Sequence, residues 1–116
     1  HSVMQDALKA NPQLDLVYAH NDPMAHGAFL AAKAAGRERE IKFVGIDALP
    51  DEGQRWVQGG ELTATLLYPT PGETGLDIAM KILAGAKVEK RITLPTRVYT
   101  KENVEKGGEE VKLEQK

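Results

Sequence analysis

The stretch LDLVYAHNDPMAHGAF, residues 14–29, decides how this chain is read. An apolar run, Leu14–Ala19, stops at His20-Asn21-Asp22-Pro23, and an alanine-rich helical pattern follows at once. A short apolar run that breaks into a polar junction and then a helix is the pattern of a buried strand feeding a βα turn. Pro23 suits the first helical position, where a missing N–H costs nothing, and Asp22 before it is the expected helix cap. The helix is expected to reach Ala35, with Gly36 as its C′ residue.

The same alternation extends in both directions. Residues 2–10 carry Val3, Met4, Ala7 and Leu8 at helical spacing, with Ser2 as N-cap and Asn11-Pro12 as the stop. IKFVGI at 41–46 is nearly continuous in apolar residues, as in a strand covered on both faces, and Asp47 ends it. A short helix over 50–58 breaks at Gly59-Gly60, and LTATLLY at 62–68 is a third strand. Thr70, Pro71 and Glu73 form a capping-box pattern before a helix whose stripe is Leu76, Ala79, Ile82 and Leu83, ended by Gly85. Residues 92–100 read as extended, and 105–116 as a polar, mobile tail. Strands alternating with helices imply right-handed crossovers, hence an α/β fold with a parallel sheet and helices on both faces. The first helix has no strand before it, so the sequence reads as the rear part of a larger α/β protein.

Composition narrows the function. The 116 residues carry 15 Lys+Arg against 17 Asp+Glu, a formal net charge of −2, which gives no electrostatic reason to expect nucleic acid. The densest basic run, KVEKR at 87–91, is broken by Glu89 and reads as a solvated turn. Without cysteine there is neither disulfide nor thiolate metal site. Ser2 is the sole serine, so a nucleophile paired with histidine is not expected, and no glycine-rich phosphate loop is present. His20 and His26 are six apart across a junction, not at ligand spacing on a helix, so no metal is expected. Asp47 with Glu52 is not singled out as a carboxylate pair for glycoside chemistry.

What remains is the set of groups at the strand ends: His20-Asn21-Asp22, Asp47 and Tyr68. Ligands of open parallel sheets sit outside the carboxyl ends of the strands. A carboxylate accepts from adjacent hydroxyls, an amide both donates and accepts, and an aromatic ring offers a flat apolar face. These groups suit a small polyhydroxylated molecule, held without bond breaking. Helix capping remains the competing reading for Asp22 and Asp47, and core packing the one for Trp56.

The motifs N-D-x-M-A-x-G at 21–27, V-G-I-D at 44–47 and G-x-L-T-A-T at 60–65 resemble, in combination, the ribose-binding branch of the type I periplasmic solute-binding proteins. The resemblance runs from residue 3 to 104. It implies a two-lobed fold, shared with the effector domain of LacI-type repressors, of which this chain is the C-terminal half. Residues 1–67 would belong to the second lobe, 68–94 would cross the hinge and place a helix in the first lobe, and 95–104 would return. The resemblance further implies that Asn21 and Asp47 bind sugar and that His20 lines the pocket rim. Tyr68 stands where ribose binders carry a hinge glutamine; it can stack on a sugar but cannot mimic an amide. The implied role is the periplasmic binding component of an ABC sugar importer, with a free sugar, an ABC permease and the N-terminal part of the same protein as partners, and no cofactor. The alternatives are the periplasmic sensor domain of a histidine kinase and a repressor effector domain.

Overall fold

The computed structural model describes residues 1–111. Helix α1 (Ser2–Ala10) buries Met4 and Leu8, one turn apart, and His1 rather than Ser2 occupies the N-cap position. Its end is tied down from a distance. The Arg37 guanidinium donates to the carbonyls of Leu8 (3.1 Å), Asn11 (3.1 Å) and Pro12 (2.9 Å). A cation on the last carbonyls both satisfies them and complements the helix dipole.

Strand β1 (Leu16–Tyr18) is followed by α2 (Asp22–Ala34), whose buried residues include Ala25, Ala28, Phe29, Ala31 and Ala32. Small side chains let α2 lie close on strand β2 (Lys42–Asp47), where Phe29 meets Phe43 edge to face at 5.7 Å. A π-helical turn (Pro50–Gln54) leads into the single turn of α3 (Arg55–Gln58). Strand β3 (Ala64–Leu67), helix α4 (Gly72–Leu83), strand β4 (Thr96–Thr100), a 3₁₀ turn (Val104–Lys106) and strand β5 (Glu109–Val111) complete the order.

The strands lie in sequence order, β1-β2-β3-β4-β5. The expected parallel pairing holds for β1–β2 and β2–β3, while β3–β4 and β4–β5 are antiparallel, so the sheet is mixed. The reason lies at the carboxyl end of β3. The chain comes back there after α4, and the Thr96 hydroxyl donates to the Leu67 carbonyl at 2.5 Å. Entering at that end, β4 can only run back along β3. The expected tail is also corrected as far as residue 111. Gly107 and Gly108 take positive φ (84° and 72°), which reverses the chain into β5, and Arg97 donates to both their carbonyls. The rest of the expected tail, 112–116, lies outside the described residues.

Strand pleating puts Phe43, Gly45, Thr65 and Tyr99 on one face, all buried. This face carries α2, the π turn and α3. On the opposite face Val44, Ile46, Ala64, Leu66 and Val98 are half-buried, and Leu16 and Tyr18 are exposed. Among the described residues, the helices therefore cover one face. Helix α4 has no buried residue, and its apolar Leu76, Met80, Ile82 and Leu83 are all exposed. Its expected capping box does not form. Its first helical bond is accepted by the Pro71 carbonyl, from Gly75 N–H at 2.7 Å, so Pro71 is the N-cap and Glu73 sits one place out of capping-box register.

Candidate functional site at the strand ends

The junction after β1 resolves differently from the capping reading. Asn21, not Asp22, is the N-cap of α2: its Oδ1 accepts from Met24 N–H at 2.9 Å. Either side chain could cap, but only one lies next to buried donors. Asp22 turns inward, is fully buried, and accepts from the Thr65 hydroxyl (Oδ1, 2.6 Å) and from Ala48 N–H (Oδ2, 2.8 Å). Burial pushes its carboxyl above the ordinary aspartate range. The two hydrogen bonds oppose that rise, and the nearby Asp47 and Glu52 charges add to it. Two glycines make room for this group. A side chain at Gly45 would overlap Oδ1, and one at Gly53 would overlap Oδ2.

Asp47 ends β2 in an unusual backbone. Its φ is +115° and that of Ala48 is +55°, two consecutive non-glycine residues outside the common regions. Such conformations cost on the order of 1–3 kcal/mol each and persist where neighbours over-determine them. Here Ala48 is buried, its N–H bonded to Asp22 and its carbonyl accepting from Gln54 Nε2 at 2.7 Å. Asp47 does not cap the following turn; Leu49 holds that position and makes no side-chain cap bond. The capping alternative for Asp47 is thereby removed.

Strands β1, β2 and β3 are parallel neighbours, so their carboxyl ends share one edge. Asn21 follows β1, Asp47 closes β2 and Tyr68 follows β3. Asn21 and Asp47 are half-buried, and Tyr68 is 63% exposed. Capping occupies Oδ1 of Asn21, and its Nδ2 remains a donor. The edge therefore offers an amide donor, a carboxylate acceptor and an aromatic face. His20 is exposed, tilted against Tyr18 with 5.6 Å between ring centroids. It also borders a cavity of about 650 Å³ at the β1 edge, lined by Val3, Leu16, Tyr18 and Met24 among others.

Trp56 packs as the sequence suggests, its indole stacked on the His26 ring at 4.1 Å while His26 Nε2 meets Glu61 at 2.5 Å. No group of three or more potential metal ligands exists among the described residues, nor does any helix there reach the length and apolarity needed to cross a membrane.

The comparisons with known proteins agree with this architecture. A family model described as "Periplasmic binding protein domain" matches residues 1–87. The chain belongs to the periplasmic binding protein family, in its type I, ribose-binding-like branch. It is 37% identical over 103 residues to the ribose import binding protein of Salmonella typhimurium, covering 87% of this chain and 34% of that protein. It is 36% identical over 105 residues to a putative rhizopine-binding protein of Rhizobium meliloti, covering 88% and 34%. Among solved structures it is similar to the fructose-binding periplasmic domain of a hybrid two-component system, with TM-score 0.85 and 44% identity over 90% of this chain and 36% of that one. An ABC transporter solute-binding protein of Agrobacterium vitis with bound D-fucose gives TM-score 0.78 and 36% identity, covering 90% and 37%. The chain thus spans about a third of the length of the curated relatives it matches, less than the half that the resemblance implied.

Proposed function

We propose that this chain supplies part of one lobe of a periplasmic sugar-binding protein that holds a free monosaccharide without chemistry and delivers it to an ABC permease. The observation that carries the reading is the convergence of Asn21, Asp47 and Tyr68 at adjacent strand ends in a chain whose relatives include ribose-, allose- and xylitol-binding proteins. Asp47 accepts from neighbouring sugar hydroxyls, Asn21 Nδ2 donates, Tyr68 covers an apolar ring face, and His20 stands at the rim. The other groups come from the N-terminal part of the same protein. Residues 68–94 would cross to the other lobe, a reading supported by α4, which buries none of its residues, and by the bond between Leu67 and Thr96, which would tie the two passages of the chain together. Tyrosine in place of the hinge glutamine argues for a sugar other than ribose.

A second reading, a periplasmic sugar sensor, is favoured by the 44% identity to the fructose-binding periplasmic domain of a hybrid two-component system. Both readings require sugar binding. Calorimetric titration of the intact protein with free pentoses and hexoses tests it: micromolar or tighter binding of at least one is expected, and no binding across the panel contradicts both. Sugar uptake by cells lacking the gene then separates them, since only the importer role predicts lost uptake.

A further inference from the structure

We propose that Asp22 is the positioning residue of the strand-end site: by holding the Ala48 amide it fixes the positive-φ turn at Asp47-Ala48 and so presents the Asp47 carboxylate at the sheet edge. The consequence for sugar affinity rests on the function proposed above; the geometric claim does not.

Asp22 joins four separate pieces of the chain. It belongs to the first turn of α2, accepts from the end of β2 through Ala48 and from β3 through Thr65, and fills the space left open by Gly45 and by Gly53 of the π turn. Its carboxylate is fully shielded from water, and Ala48 is 2% exposed. A buried N–H without a partner is strongly disfavoured, so this acceptor selects the backbone geometry in which Ala48 N–H points inward. With that direction fixed, the preceding peptide turns Asp47 through φ +115°. A residue at the end of an ordinary strand would continue the pleat instead. Gln54, donating to the Ala48 carbonyl, fixes the other side of the same residue.

The two oxygens of Asp22 allow a test that separates positioning from plain stability. Asp22→Ala removes both bonds. Asp22→Asn keeps both, with Oδ1 accepting from Ala48 N–H and Nδ2 donating to a rotated Thr65 hydroxyl. Thr65→Val removes only the bond to Oδ1. In the intact protein, Asp22→Ala is expected to speed hydrogen exchange at the Ala48 amide and to weaken sugar binding, each by about tenfold or more. Asp22→Asn should restore both to within about threefold of wild type, as expected for a retained pair of hydrogen bonds. Thr65→Val should lower the melting temperature yet leave Ala48 exchange and affinity within about threefold, because the Ala48 bond survives. Should Asp22→Ala not fold, Gly53→Ala, whose added carbon overlaps the Ala48-facing oxygen most and the carboxyl carbon next, takes its place with the same expectations. An Ala48 amide that stays protected in Asp22→Ala (or in Gly53→Ala) overturns the proposal. So does affinity that merely follows melting temperature through Asp22→Ala and Thr65→Val alike. A wild-type protein that binds no sugar defeats the proposed function, and Ala48 exchange still decides the positioning role.

Discussion

The carboxylate of Asp22 occupies the volume into which a side chain at Gly45 would project, so that Oδ1 stands where a β-carbon on β2 would have to go. A glycine in the middle of a buried strand weakens the strand unless something approaches closely, and here the approaching group is a buried carboxylate. Gly45→Ala should therefore destabilise the protein by about 1–3 kcal/mol, the usual cost of overpacking. Gly75→Ala, in α4 with no atom of this chain within 4 Å of the added carbon, should cost less than Gly45→Ala. Denaturant titration of the two variants checks the contrast; equal effects would mean that Asp22 yields freely.

Because burial raises the Asp22 carboxyl above its unfolded value of 3.8, its linkage runs opposite to that of a salt-bridged aspartate. The folded protein holds this proton more tightly than the unfolded chain does. The contribution is fully present below the unfolded value and is lost as pH rises through it to the folded one. Asp22→Asn has no proton to lose. Wild-type stability minus that of Asp22→Asn should fall between about pH 3 and the folded value and stay level above it. Chemical denaturation across pH reads it, and a difference that rises with pH contradicts the burial argument.

Arg37 reaches across from beyond α2 to close α1. Arg37→Ala leaves the carbonyls of Leu8, Asn11 and Pro12 without that donor. The expected loss is about 1–2 kcal/mol, since hydrogen bonds to a charged group are worth somewhat more than neutral ones. Amide exchange should speed up over residues 2–10 and stay unchanged in β2. Unchanged exchange in α1 would show that Met4 and Leu8 hold the helix unaided.

Much of this fold is legible in the sequence because its signals are local. The β1 junction, the continuous apolar run of β2 and the alanine face of α2 each carry their own periodicity, and the strand-end rule then collects Asn21, Asp47 and Tyr68 on one edge. What escapes is non-local. Asn21 and Asp22 are both good caps, and the choice between them depends on Thr65 and Ala48, 43 and 26 residues further on. Gly45 inside V-G-I-D signals a close approach but not by what. The direction of β4 follows from where the chain re-enters beside Leu67, which no periodicity records. β5 is three residues long and mostly glutamate, too short and polar to stand out from a tail.

Helix α4 exposes Leu76, Met80 and Leu83 along one side. If residues 68–94 belong to the other lobe, Leu76→Asp and Leu83→Asp should destabilise the intact protein, with exchange in α4 slow before substitution and fast after it. Fast exchange in α4 of the intact wild-type protein would leave that helix without a lobe to join.

The proposed sugar site depends most directly on Asp47. In the intact protein, isothermal titration of Asp47→Ala with whichever sugar the wild type binds should show affinity reduced by roughly 30- to 900-fold. That is the equivalent of about 2–4 kcal/mol for hydroxyls left unpaired in a closed site. The thermal unfolding transition should stay cooperative. A loss of less than about threefold, well under one hydrogen bond to a charged group, would contradict the account and place the sugar somewhere other than this edge.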